Sequence, residues 1–262
     1  MLFLLTGDVQ IGKTRWLEKL CSDLAAAGVC VAGVIAPGQW VPRAEGQPGG
    51  RHGFDGEGRF EKLGIDNVLL PQGERIAFAR RRDLTEGDQA FAQGEQAKAA
   101  QLAWAISDEA IAQVNDHFAM LAKMGQGDCS FVPLPGGDAN GRATTGSTSA
   151  DGASAGGHPA AGGALTGAVS ASKKLAPAIA PGSFLVVDEL GRLELLRGCG
   201  LTNAVALLDA GPTPTFPHAL AVVRETLLDQ AISRFAPAWE EPQPIAPGDE
   251  ARQLILNTFG AR

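Results

Sequence analysis

An α/β layer fold with a mainly parallel sheet is the class this sequence predicts, and three observations predict it. Short apolar runs alternate with amphipathic stretches along most of the 262 residues. Two of the runs, VCVAGVIAP at 29–37 and SFLVVDE at 183–189, lack polar alternation, as strands buried on both faces of a parallel sheet do. The first run, within residues 2–6, leads through a glycine-containing loop straight into a helical stripe of Trp16, Leu17, Leu20, Cys21 and Leu24.

Each element can be justified in order. The helix over 13–27 ends at Gly28, a natural C-terminal cap, and the strand after it stops at Pro37. DNVLL (66–70) and RIAFA (75–79) flank the turn signal Pro71-Gln72-Gly73 and predict a β-hairpin at the edge of the sheet or above it. LAWAI (102–106) reads as a further strand. Ser107 is then an N-cap, Asp108 and Glu109 suit the positive end of a helix dipole, and Ile111, Val114, Phe118 and Leu121 supply a buried stripe. From 136 to 182 the composition collapses to Gly, Ala, Ser, Thr and Pro, which bury too little surface to offset ordering entropy; the expectation is a disordered insertion in one domain spanning 1–262. Beyond SFLVVDE come a helix near 202–209, the strand HALAVV at 218–223, an amphipathic helix over 225–234 and a last helix over 248–259.

Composition excludes several functions. Hydrophobic residues make up 45% and charged residues 19%, a soluble globular balance rather than a disordered or membrane one. The opening MLFLL has no basic flank and is too short for a signal peptide or a transmembrane helix. A net charge of -7 argues against nucleic acid and acidic membranes as partners, and the basic run Arg80–Arg82 is too short to reverse that. The four cysteines are widely spaced with no C-x-x-C, and the four histidines do not join them, so neither a disulfide framework nor a metal cluster is expected; the compartment reads as cytoplasmic.

The chemistry concentrates in two motifs. Gly7-Asp8-Val9-Gln10-Ile11-Gly12-Lys13-Thr14 fits G-x-x-x-x-G-K-T, in which glycines let backbone N–H groups wrap phosphate oxygens at a helix start. Lys13 would reach the β- and γ-phosphates, the Thr14 hydroxyl would ligate Mg²⁺, and Arg15 completes the nucleotide-binding segment. FLVVDE supplies the second motif, a Walker B strand: four apolar residues end in Asp188, a carboxylate for the metal, followed by Glu189, placed to orient an attacking water. Read alone, Asp188-Glu189 is equally a polar strand end.

VVDELGRLEL from Val186 to Leu195 resembles the Asp-Glu-Ile-Gly-x-Met-Glu-Leu signature of the cancer-related nucleoside-triphosphatase family. Its pairing with an N-terminal phosphate loop, together with weaker similarity at GVIAP, at RHGFD and after AWAISDEA, extends the resemblance over 1–125 and 183–236. The resemblance implies a three-layer P-loop NTPase fold of the RecA/ASCE type and Mg²⁺-dependent hydrolysis of nucleoside triphosphates to diphosphate and phosphate with loose base selectivity. Three features depart from the family: Gln10 stands where a further loop Gly is usual, Arg15 where a second Thr is, and the Gly-rich insertion interrupts a normally compact region.

Three further residues are accessory candidates. Glu194 matches the signature's second Glu and reads as positioning the Walker B loop, as touching substrate, or as a solvated carboxylate. Arg224 follows HALAVV and reads as a sensor of the γ-phosphate or as a surface arginine, and Arg51, ahead of HGFD, as a residue approaching the nucleotide. Two other functions share the motifs. One is a P-loop kinase whose acceptor pocket comes from 38–83; the other is a nucleotide-gated assembly factor that hydrolyses slowly and docks a protein partner through 136–182.

Overall fold

A computed structural model describes residues 1–8, 11–43, 59–85, 91, 96, 104–125 and 179–260. All belong to one unit, Met1–Cys129 with Ala176–Arg262. The expected insertion falls outside the described residues up to 178. Its last residues, 179–182, are part of the fold: Ile179 packs on the core and the Gly182 N–H donates to the Pro214 carbonyl at 2.9 Å.

The elements run β1 (Leu2–Leu5), α1 (Lys13–Ala26), β2 (Val31–Ile35), β3 (Gly38–Pro42), β4 (Phe60–Leu70), β5 (Glu74–Arg81), β6 (Trp104–Ile106), α2 (Asp108–Gly125), β7 (Phe184–Leu190), α3 (Thr202–Asp209), β8 (His218–Val223), α4 (Leu228–Trp239), β9 (Gln243–Ile245) and α5 (Asp249–Thr258). Ser107 caps α2 as expected, its Oγ accepting from the Ala110 N–H at 3.2 Å.

Alternate residues of the central strands feed two separate cores. Phe3, Leu5, Val31, Ile35, Phe184, Val186, Leu220 and Val222 pack with Leu17, Leu20 and Leu24 of α1 and Ile255 of α5. Leu2, Leu4, Ala32, Val34, Leu185, Val187, Ala219 and Ala221 pack on the other face with Val114 and Phe118 of α2, Ala204 and Leu208 of α3, and Phe235 of α4. Period-two side-chain alternation through strands buried on both faces thus makes three layers.

The sheet order is β6-β5-β4-β2-β7-β8-β1-β9, with β3 also on β4. The run β2-β7-β8-β1-β9 is parallel throughout. The expectation of a mainly parallel sheet needs correction, because β3, β4, β5 and β6 all pair antiparallel. Connection length accounts for one of these pairs: a parallel return needs a crossover of about a dozen residues or more, and the turn at Pro71–Gly73 between β4 and β5 is too short for one. The β4–β5 hairpin is also not at an edge, since β6 lies outside β5 and β2 and β3 run along the other side of β4. Indeed β2 and β3 make one bent ladder on β4, from Gly33 opposite Leu70 to Pro42 opposite Phe60. The described residues therefore divide into a parallel half and an antiparallel wing that share β2.

Candidate functional site

The carboxyl ends of β1, β2, β7 and β8 gather the residues of the site. After β1 the chain turns at Gly7, whose φ of 130 is a conformation that side-chain-bearing residues rarely adopt. Gly12, at φ 90, sits in the left-handed region that favours glycine and opens α1. No side chain caps that helix start and its first turn holds no acid, but it does carry Lys13 and Arg15. Cations at the positive end of a helix dipole are unfavourable alone and favourable around an anion. The Lys13 ammonium folds back to donate to the Gly7 and Asp8 carbonyls at 2.8 and 2.7 Å. Arg15 and Asp8 are exposed; Val9 and Gln10 lie outside the described residues.

Asp188, at the end of β7, is 4% exposed. Its Oδ2 accepts from the Ala36 N–H at 2.8 Å, just past β2, and the Thr14 side chain, on the first turn of α1, lies beside the carboxylate. Burial pushes its carboxyl up to about 6; the Ala36 bond acts against that shift, the charge of Glu189 adds to it, and Thr14 and Lys62 oppose it. The two residues read from sequence as metal ligands, far apart in the chain, are thus neighbours.

Glu189 has φ 75, costly for a residue with a Cβ, and the β7–β8 register shifts between Val187 and Leu190. This bulge carries the Glu189 side chain out of the buried ladder to 42% exposure, where Arg224 Nη2 donates to its Oε1 at 2.8 Å. Arg224 directly follows β8, so it is paired with the residue read as orienting water. Lys13 lies in the same electrostatic neighbourhood: desolvation holds its ammonium below the ordinary lysine range, while Glu189 and Asp188 act to raise it.

Glu194 is buried and bonded at both oxygens, Oε2 accepting from the Gly191 N–H at 2.8 Å and Oε1 from the Leu201 N–H at 3.1 Å. It is buried rather than solvated, and it ties down the loop after β7. Arg51 lies outside the described residues.

Sequence reasoning missed Lys62, Trp40 and Trp104. Lys62 is half-buried, with Nζ 5.8 Å from the Trp40 ring centroid and 5.6 Å from that of Trp104. Burial holds its ammonium below the usual range, Glu189 and Asp188 opposing that shift. The one available signal was a lysine inside a strand run, but the expected strand began only at Asp66 while β4 begins at Phe60.

Among the described residues no three or more His, Cys, Asp and Glu side chains gather as a metal cage. Nor is any helix among them long and apolar enough to cross a membrane. What the arrangement offers is an uncapped helix start with a lysine, a hydroxyl beside a buried carboxylate, and an arginine–glutamate pair.

No protein-family model matches the chain, and no curated protein matches it in sequence. Among solved structures it is similar to the solution structure of a human cancer-related nucleoside triphosphatase, at 16% identity and a TM-score of 0.44, over 98% of this chain and 94% of that one.

Proposed function

We propose that the chain binds nucleoside triphosphates through Gly7–Arg15 and hydrolyses them, with Mg²⁺, to diphosphate and phosphate. The observation that carries this reading is the placement of Thr14, on the first turn of α1, beside buried Asp188, near the carboxyl end of β7 where the Ala36 N–H holds it. It joins the two motifs that a hydrolytic phosphate site requires.

Thr14 and Asp188 are hard oxygen donors, and a carboxylate whose ionised form is disfavoured by burial gains from a cation beside it; the pair fits Mg²⁺. Sites of this kind need one or two protein oxygens, the remainder coming from phosphate and water, so a larger acidic cluster is not required. The ion would neutralise charge on the phosphate oxygens. The loop N–H groups and Lys13 bind and orient the phosphates, exchanging the Gly7 and Asp8 carbonyls for phosphate oxygens. Glu189 holds the attacking water and takes its proton, and Arg224, its present partner, is released toward the phosphate. Cys21, Cys30 and Cys199 are thiols rather than disulfides, which supports a reducing, cytoplasmic setting.

The test is phosphate release from a panel of nucleoside triphosphates with and without Mg²⁺. Lys13→Ala is expected to lose binding, and Glu189→Gln to keep binding and lose about 10²-fold or more in kcat. Unchanged turnover in the glutamine variant would sink the role given to Glu189. Phosphate release only when an organic acceptor is added would favour a kinase.

A further inference from the structure

Three cations and two carboxylates meet at this site, and one cation is left over. Asp188 is engaged by the Ala36 N–H and Thr14, Glu189 by Arg224, and Lys13 by the Gly7 and Asp8 carbonyls. Lys62 feels the charges of Glu189, Asp188 and Arg224, yet among the described residues its ammonium has no hydrogen bond or ion pair. It is held instead against the indoles of Trp40 and Trp104.

That placement is built into the backbone. Trp40 and Lys62 are directly opposed across β3 and β4, in a register set by the irregularity between Gln39 and Trp40. Gly38 makes the room: a Cβ there would lie 2.6 Å from Trp40 Nε1 and 2.7 Å from Lys62 Cε. Ala36, bonded to Asp188, is two residues from Gly38, a span of at most about 7 Å, which puts the end of the Lys62 side chain in the same neighbourhood as the Asp188 carboxylate, whose charge it feels.

An ammonium on a flexible four-carbon stem, kept partly out of water by apolar ring faces, is poised to exchange them for a stronger anionic partner. Both nearby carboxylates are already bonded, so an incoming phosphate is the anion that fits. Resting on the triphosphatase reading above, we propose that Lys62 is a further phosphate-binding residue of the site, turning from Trp40 and Trp104 to the terminal phosphate of a bound nucleoside triphosphate. The antiparallel wing thereby distinguishes triphosphate from diphosphate, while the loop and Lys13 bind both.

The experiment titrates the wild-type protein, Lys62→Met, Lys62→Arg and Lys13→Ala with a non-hydrolysable triphosphate analogue and with the diphosphate, each with Mg²⁺, by calorimetry. Lys62→Met is expected to lose about 10- to 100-fold in triphosphate affinity, as removal of a charge-assisted bond does, with diphosphate affinity unchanged within about twofold; Lys62→Arg recovers most of it. Equal triphosphate affinity in Lys62→Met and wild type, or equal losses for both nucleotides, overturns the proposal. Tryptophan emission gives a readout that needs no variant. Trp16 and Trp239 are pinned by hydrogen bonds to Gly248 and Leu208 carbonyls, so a change on adding the triphosphate but not the diphosphate reports Trp40 and Trp104. Emission unmoved by saturating triphosphate also overturns it. Failure of the underlying reading looks different: the wild type binds neither nucleotide, or Lys13→Ala binds both as the wild type does, and Lys62 then falls with it.

Discussion

Arg224 donates to Glu189 at 2.8 Å, so the side chain read as orienting water is held by a cation from the neighbouring strand's end. Both partners are half exposed, at 52% and 42%, and an ion pair so open to solvent contributes only about 0–1 kcal/mol. Arg224→Ala is therefore expected to leave the urea midpoint nearly unchanged while lowering kcat about 10-fold or more. Steady-state phosphate release beside urea melts checks both halves; a large stability loss would make the pair structural.

Asp188 presents the opposite balance. Its folded-state pKa of about 6 lies above the ordinary aspartate value of 3.8, so the folded chain binds its proton more tightly than the unfolded chain does. The ionised carboxylate accordingly costs stability, the cost growing from about pH 4 to about pH 6 and staying in full above that. Asp188→Asn is expected to stabilise the metal-free protein at pH 7 by about 1–3 kcal/mol. It should also abolish Mg²⁺-dependent triphosphate binding. Urea melts in a chelator, beside calorimetry with Mg²⁺, measure the two effects.

Glu194 differs again, because both of its oxygens serve backbone N–H groups, of Gly191 and Leu201. Glu194→Ala leaves both donors without their acceptor, a loss of about 2–6 kcal/mol at 1–3 kcal/mol per donor, the lower end fitting the part-buried Gly191. Glu194→Gln keeps one acceptor but sets an amide N–H₂ against the other donor, and should fall between. Denaturant melts rank the three proteins.

His117 sets an acid limit. Its imidazole is buried, with Nε2 3.1 Å from the Gly33 carbonyl, and desolvation holds its pKa below the ordinary value of 6.5; backbone bonding at Gly33 and Leu70 and the charge of Glu74 act the other way. The unfolded chain therefore takes up a proton at 117 before the folded chain does, so stability is complete above about pH 7 and falls as the pH drops through 6.5. His218, also lowered by burial, contributes with the same sign. Because ionised Asp188 acts with the opposite sign over part of this range, the test uses Asp188→Asn: its urea midpoints between pH 5 and 8 should decline on the acid side, and adding His117→Gln should remove part of that slope.

The parallel half was legible because its signals are local. β8 occupies His218–Val223, the span its apolar run marks, and the core residues of α1 sit at helical spacing. The wing was less legible. β3 contains Gly38 and Pro42 and is only half-buried, and the outer part of β4 carries Glu61 and Lys62 where an apolar run would be the cue. β9 is three residues long and includes Pro244. At the site, Lys13, Thr14, Asp188 and Glu189 could be named from motifs, since their spacing within each motif is local. The Arg224–Glu189 pair could not, because it depends on a bulge that no local pattern announces. Nor could Lys62, whose meaning comes from which strand crosses beside which.

The hydrogen bond from Ala36 to Asp188 also divides labour along the sheet. Strand β2 holds β7 along one edge and β4 along the other, and its last turn is fastened by the carboxylate that faces Thr14. On the proposed reading, chemistry resides on one side of that strand and ligand choice on the other, with the Ala36–Asp188 bond between them. Loops and side chains of the outer strands could then be exchanged to retune what is recognised, while the residues proposed to cleave the phosphoanhydride stay in place.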